Sequence, residues 1–164
     1  MTGAPVVRRL TADDWPVYRD VRLRALAADP RAFGSDLARE QAFDEPAWRL
    51  RAATATVAYC NEVAVGVIGW HWTDEPVRAD LVAMWVDPAA RGSGVGDALV
   101  RDVVDQVVTA RGAALELGVV ATNAPALALY RRAGFVETGR EVGTHTGDLL
   151  VRMRHDDRDE VTER

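Results

Sequence analysis

The stretch Arg91-Gly92-Ser93-Gly94-Val95-Gly96 constrains the fold more than any other part of the chain. An apolar run containing Leu81, Val82, Met84, Trp85 and Val86 leads into it, and a helical spacing of Val95, Leu99, Val103 and Val107 leaves it. Strand, glycine-rich turn, helix is an order that leaves unpaired backbone N–H groups at a helix start, where the helix dipole also favours an anion. Glycines let the backbone approach a phosphate with no Cβ in the way. The segment therefore predicts an α/β chain with a phosphate-bearing ligand at this turn.

Two nucleotide-binding templates fail against it. A P-loop needs a Lys after its second glycine, and the chain contains no lysine. A dinucleotide turn needs Gly-x-Gly-x-x-Gly, but the last position falls on Asp97 or Leu99. Arg91, Gly94 and Gly96 instead match Arg/Gln-x-x-Gly-x-Gly/Ala. Further along, Asn123, Ala126, Tyr130, Gly134 and Phe135 match Asn-x-x-Ala-x-x-x-Tyr-x-x-x-Gly-Phe. In this pair of motifs the chain resembles the GCN5-related N-acetyltransferases, closely over residues 81–136 and elsewhere in the order of elements. The resemblance implies acetyl-CoA as acetyl donor and a sheet whose fourth and fifth strands splay around pantetheine.

Periodicity and breakers give the elements. Val6, Val7 and Leu10 suggest a first strand. The run from Thr11 to Asp14 reads as a capped helix start, with a helical face up to Pro30. Further helices are expected over 33–43, 46–53, 94–111 and 125–133. Strands are expected over 56–59, 63–72, 77–86, 114–119, 135–142 and 149–153, with a hairpin turn at Asn61-Glu62. The expected fold class is α/β (α+β), a mixed sheet of six to seven strands with helices on both faces. Residues 1–154 read as one domain, and 155–164 as a charged tail expected to be disordered.

Composition narrows the partners. The net charge of −5, with arginine supplying every basic side chain outside histidine, argues against nucleic acid as main partner. It favours a cationic acceptor such as an amine. No run approaches a membrane span, and the N-terminus lacks a basic-then-apolar signal, so the cytoplasm is the expected location. Cys60, the only cysteine, excludes an internal disulfide and reads as a packed thiol. No His/Cys/Asp/Glu cluster has metal-ligand spacing, so no metal is expected.

Site residues follow from the resemblance. Backbone amides of Arg91, Gly92, Ser93, Gly94, Val95, Gly96 and Asp97 would cradle the pyrophosphate, with Arg91 or Arg132 as added local donors. The Asp97 carboxylate is expected to turn away toward Arg101. The backbone of Met84, Trp85 and Val86 would bind pantetheine like an added strand, one amide polarising the thioester carbonyl. Trp85 itself is open between core and pocket wall. Asn123 would bond pantetheine, a role compatible with helix N-capping. Tyr130 corresponds to the family's general acid. A phenol (pKa ~10) is a weaker acid than a thiol (~8.5), which makes it a hydrogen-bond donor to the departing thiolate. Asp80, Glu116 and Glu40 are the carboxylates considered for the general base, and each also reads as an ordinary exposed side chain. His71, between two tryptophans, reads more simply as a packed or surface histidine. The acceptor pocket is expected from Phe33-Gly34-Ser35, from Phe43 or Trp48, and from Thr144-His145-Thr146. The implied activity is acetyl transfer to a primary amine of a small molecule by direct attack. A protein or peptide N-acetyltransferase and a non-catalytic acyl-CoA sensor are the alternatives. The resemblance also allows a homodimer through a shared sheet or swapped strand.

Overall fold

Alternation along the central strands sorts apolar side chains onto two faces, and each face meets its own helices. The computed structural model describes residues 3–157. It contains β1 (Val6–Arg9), α1 (Trp15–Ala28), α2 (Leu37–Gln41), α3 (Glu45–Ala52), β2 (Ala55–Cys60), β3 (Val63–Trp72) and β4 (Arg78–Val86). Then follow α4 (Val95–Val104), β5 (Ala114–Val120), α5 (Ala124–Arg132), β6 (Phe135–Val142) and β7 (Leu149–His155). The seven strands are ordered β1-β2-β3-β4-β5-β7-β6. Every neighbouring pair is antiparallel except β4 and β5.

One face carries Ala58, Ile68 and Leu81 against Val95, Leu99 and Val103 of α4 and Leu127 and Tyr130 of α5. The other carries Val57, Val67 and Trp85 against Tyr18, Val21, Ala25 and Leu26 of α1 and Trp48 of α3. Burial of each such aliphatic side chain contributes roughly 1.5–3 kcal/mol. Cys60 lies buried in the first cluster as a packed thiol.

Local chemistry sets the ends. The Thr11 N–H donates to the Asp14 carboxylate at 2.7 Å ahead of α1, and Asn61 and Glu62 take φ of 48° and 64° in the β2–β3 turn. Two expectations need correction and one needs refinement. The helix expected over 33–43 is only Leu37–Gln41, because the Asp36 carboxylate accepts from the Arg39 N–H at 2.8 Å and fixes a late start. The helix expected over 94–111 does run to Arg111, but with a π-helical turn, Asp105–Thr109, inserted after Val104. There the buried Gln106 reaches inward, accepting from Trp70 Nε1 (3.2 Å) and donating to Thr56 Oγ1 (3.2 Å) and Asp102 Oδ2 (2.8 Å). Buried amides demand such partners, and the widened turn supplies the reach. Finally, β7 runs through His155, whose ring packs on Phe135 at 5.3 Å and meets the Asp157 carboxylate at 3.1 Å. Residue 155 is therefore strand where the tail was expected, and residues 158–164 of that expected tail lie outside the described residues.

The feature that opens a site is the β4–β5 pair. Its register is only Arg78↔Ala114, Ala79↔Leu115 and Asp80↔Glu116; beyond Asp80 the strands part. Between the pairs Gly69↔Val82 and Val67↔Trp85, β4 also bulges against β3, with Ala83 at φ 59°. A non-glycine residue held there costs of order 1–3 kcal/mol, and bulges re-aim backbone beside functional sites.

Candidate active site

A groove of about 670 Å³ runs along the opened edge of β4 and over the glycine turn. Met84, Trp85, Val86, Arg91, Gly92, Gly94, Gly96 and Asp97 line it, with Asn123 and Arg132 opposite. Gly94 sits at the N-cap of α4 with φ 86° and brings no side-chain cap. The first-turn N–H groups of the helix are thereby left for another acceptor. Gly92 also has positive φ (76°), and a Cβ added at either glycine would meet nothing within 4 Å. Gly96 is different: its Cβ would lie 3.2 Å from Leu129 and 3.4 Å from Met84. Its smallness serves the packing of α4 on α5 and β4. Ser93 Oγ turns back to the Ala90 carbonyl, and Val95 is buried in the core, so any phosphate contact from these two is through backbone.

The charged side chains here are paired, which corrects the expected partner of Asp97. Arg91 donates to Asp29 Oδ2 (2.8 Å) and to the Val86 carbonyl (3.0 Å), which holds its guanidinium to the protein. Asp97 pairs with Arg132 of α5 at 3.3 Å, instead of Arg101 on its own helix. Trp85 is core, and its Nε1 donates to the same Asp29 oxygen at 2.8 Å. Asp29, at the end of α1, thus ties helix, strand and turn together. No sequence motif marks it, because its partners lie 56 and 62 residues away.

Met84, Asn123, Ala126 and Ala32 also line an adjoining cleft of about 430 Å³, which contains Tyr130, Asp80, Arg22 and Arg152. The structure brings the predicted Phe33-Gly34-Ser35 and Thr144-His145-Thr146 segments together on its walls. Trp48 and Phe43 do not join them. Trp48 is fully buried, and Phe43 packs edge-on against it at 5.6 Å beside a neighbouring cavity that also includes His71.

Asn123 Oδ1 accepts from the Ala126 N–H at 3.2 Å, capping α5 and holding the residue at the junction of groove and cleft. Tyr130, two turns along α5, is 5% exposed and rests edge-on against Phe135 at 5.8 Å. Its hydroxyl makes no hydrogen bond among the described residues. Burial pushes its phenol pKa well above the ordinary value, so the side chain is a protonated donor at neutral pH.

The three carboxylates separate. Glu40 is buried and held by a two-pronged fork, Arg22 Nε to Oε2 at 2.9 Å and Nη2 to Oε1 at 2.8 Å. Burial works to raise its pKa, but the bonds and charge of Arg22, with smaller help from Ser35 and Arg51, more than offset this and lower it. Such a group is a poor base. Glu116, 7% exposed, is shared between Arg78 and Arg152. Asp80 has one ion-pair partner among the described residues, Arg152 at 3.2 Å, and a side chain 26% exposed at the cleft. Arg152 reaches it across Gly118, where an added Cβ would meet its Nη1 at 3.1 Å.

The fold and the paired motifs agree with the comparisons. The model of the Acetyltransferase (GNAT) family matches residues 10–135. The chain belongs to this family. It is 36% identical over 150 residues to a mycothiol acetyltransferase of Clavibacter michiganensis, covering 87% of this chain and 46% of that protein. It is 37% identical over 86 residues to the N-alpha-acetyltransferase RimI of Mycobacterium tuberculosis, covering 51% of this chain and 52% of that protein. The chain thus spans about half the length of these curated relatives. Among solved structures, the yncA protein of Salmonella typhimurium, determined with its cofactor acetyl-CoA, superposes with a TM-score of 0.72 at 20% identity, covering 98% of both chains.

Proposed function

We propose that this protein transfers the acetyl group of acetyl-CoA to a primary amine by direct attack within a ternary complex. The observation that carries the reading is one continuous opening. The groove at the α4 N-terminus adjoins, through Met84, Asn123 and Ala126, a cleft that holds Tyr130 and Asp80. Family membership supports the same chemistry.

In this mechanism the N–H groups of residues 91–97 take the pyrophosphate, and the unpaired edge of β4 from Met84 to Val86 takes pantetheine. A β4 amide near the Ala83 bulge polarises the thioester carbonyl, so that the oxyanion is stabilised as it forms. The amine nitrogen bonds to the carbonyl carbon and the C–S bond breaks. Asp80 receives the proton lost by nitrogen, directly or through one water. Tyr130 donates a hydrogen bond to the departing sulfur; outright proton transfer from so weak an acid is uphill by more than the ~2 kcal/mol of the unperturbed groups. The acceptor is a small-molecule amine, which the size of the cleft, about 430 Å³, supports. A peptide α-amine is the second reading, supported by the likeness to RimI.

The test is Tyr130→Phe. The substitution should lower kcat about 100-fold while acetyl-CoA affinity, measured by calorimetry, stays within about twofold. An unchanged rate would remove Tyr130 from the mechanism.

A further inference from the structure

Five of the described arginines are not exposed: Arg22, Arg49, Arg51, Arg78 and Arg152. Four of them pair with carboxylates, Arg22 with Glu40, Arg49 with Asp13 and Glu45, Arg78 with Glu75 and Glu116, and Arg152 with Asp80. Arg51, in the last turn of α3, has no ion-pair partner among the described residues. Its guanidinium lies over the Phe43 ring at 4.2 Å, and its Nη1 donates to the Ala47 carbonyl at 3.2 Å. A half-buried cation left unpaired in a chain of net charge −5 calls for an anion that the fold does not supply.

Arg51 lines the cavity of about 360 Å³ that adjoins the cleft, bounded by α2, α3 and the facing parts of β3 and β4. Tyr18, 4% exposed, lines it too, and its hydroxyl makes no hydrogen bond among the described residues. Burial raises the pKa of this phenol, so it is a donor at neutral pH. Glu40 is the one carboxylate among the described lining residues, and it is already forked by Arg22. Arg39 and Arg51 are therefore left uncompensated, while Phe43, Leu50, Trp70 and Val82 supply apolar walls. Cavity and cleft share Arg22, Ser35, Val82 and Ala83. Across the β3–β4 pairing Asp80 faces His71 of the cavity, one strand spacing of about 5 Å away. The joined space thus has an anionic end at Asp80 and a cationic end at Arg51.

We propose that Arg51, with the Tyr18 hydroxyl, binds a carboxylate at the distal end of the acceptor, so that the acceptor is an amine carrying a carboxylate several carbons from its nitrogen. This rests on the acetyltransferase reading above, with the amine at Asp80. Such a molecule is itself dipolar, and it lies with each charge against its opposite. The apolar walls take the stem between the two charges. An α-amino acid is too short, because its carboxylate stays beside Asp80.

The experiment compares ε-aminocaproate, its neutral amide, hexylamine and glycine as acceptors with acetyl-CoA and the intact protein, following thiol release and referring each rate to the unprotonated amine. The expected kcat/KM for ε-aminocaproate exceeds that of each other amine by at least about 10-fold. The preference is read as the ratio of ε-aminocaproate to hexylamine within each variant, so that a general loss of activity cancels. Arg51→Gln, which keeps a side chain beside Phe43 but no charge, should bring the ratio to within about twofold of unity. Tyr18→Phe, which keeps the packing against Trp48, should lower it about fivefold. Caproate, which has no amine, should inhibit ε-aminocaproate competitively. A wild-type ratio near unity, an amide or glycine as good as ε-aminocaproate, or a ratio unmoved by Arg51→Gln overturns the proposal. Any other response to caproate separates the carboxylate from the acceptor and overturns it as well. If no amine releases thiol, the acetyltransferase reading fails, and an NMR titration of the protein–coenzyme A complex with caproate then decides the carboxylate site itself. Saturable shifts that Arg51→Gln removes support it; shifts that persist in the variant, or none, overturn it.

Discussion

Asp29 shows how a single side chain outside every motif can tie together the elements around the proposed donor site. Its carboxylate holds Trp85 Nε1 and the Arg91 guanidinium at 2.8 Å each, and so sets the turn against β4. Asp29→Asn keeps the shape and removes the charge that strengthens both bonds. It should raise the KM for acetyl-CoA about fivefold while kcat stays within about twofold, which steady-state kinetics will check. Tyr130 carries a linkage of its own. Its folded-state pKa is raised, so the native state keeps a proton that the unfolded chain loses above about pH 10. Stability from this group is present below that pH and declines above it. Tyr130→Phe should flatten the alkaline limb of a denaturant-midpoint profile.

At the scale of elements, the glycine turn and the start of α4 are the proposed anion site, and it has a charged neighbour. Asp97 lies in the first turn of α4 and pairs with Arg132 at 3.3 Å. An acidic group beside a bound anion opposes it, and its loss frees an arginine. Asp97→Asn should therefore tighten acetyl-CoA binding about two- to fivefold at low salt, an effect that fades as salt is added. Gly94→Ala should act oppositely. At φ 86° an L-residue costs about 1–2 kcal/mol, and calorimetry should report acetyl-CoA bound about tenfold more weakly.

Elements and motifs were legible in the sequence where the signal is local. The Arg91–Gly96 turn, the Asn123–Tyr130 spacing and the Asn61-Glu62 hairpin all lie within a few residues of the structure they specify. The carboxylates were not legible in this way. Glu40, Glu116 and Asp80 look alike in sequence, and their fates depend on Arg22, Arg78 and Arg152, which arrive from 18, 38 and 72 residues away. The π-helical turn depends likewise on Trp70 and Thr56, on strands 36 and 50 residues distant from Gln106. The same holds for the Ala83 bulge, which exists only in the pairing of β4 with β3.

For the whole molecule, the Arg22–Glu40 pair joins α1 to α2 over the cleft, so acid should weaken the acceptor wall as well as the fold. Glu40 has a folded pKa below its ordinary value of 4.5. The unfolded chain takes up that proton first, so this stabilisation is full above about pH 4.5 and lost as pH falls toward the folded value. Glu40→Gln should lower the denaturant midpoint at pH 7 and reduce its acid dependence below pH about 4.5. The most direct measurement of the central claim is a quench of wild-type protein mixed with acetyl-CoA and ε-aminocaproate, with coenzyme A, acetylated amine and protein mass followed together. Direct attack predicts coenzyme A and acetylated amine in equal amounts at all times, with the protein mass unchanged. Acetylated protein appearing before product, or coenzyme A bound with no thiol released for any amine, would contradict it.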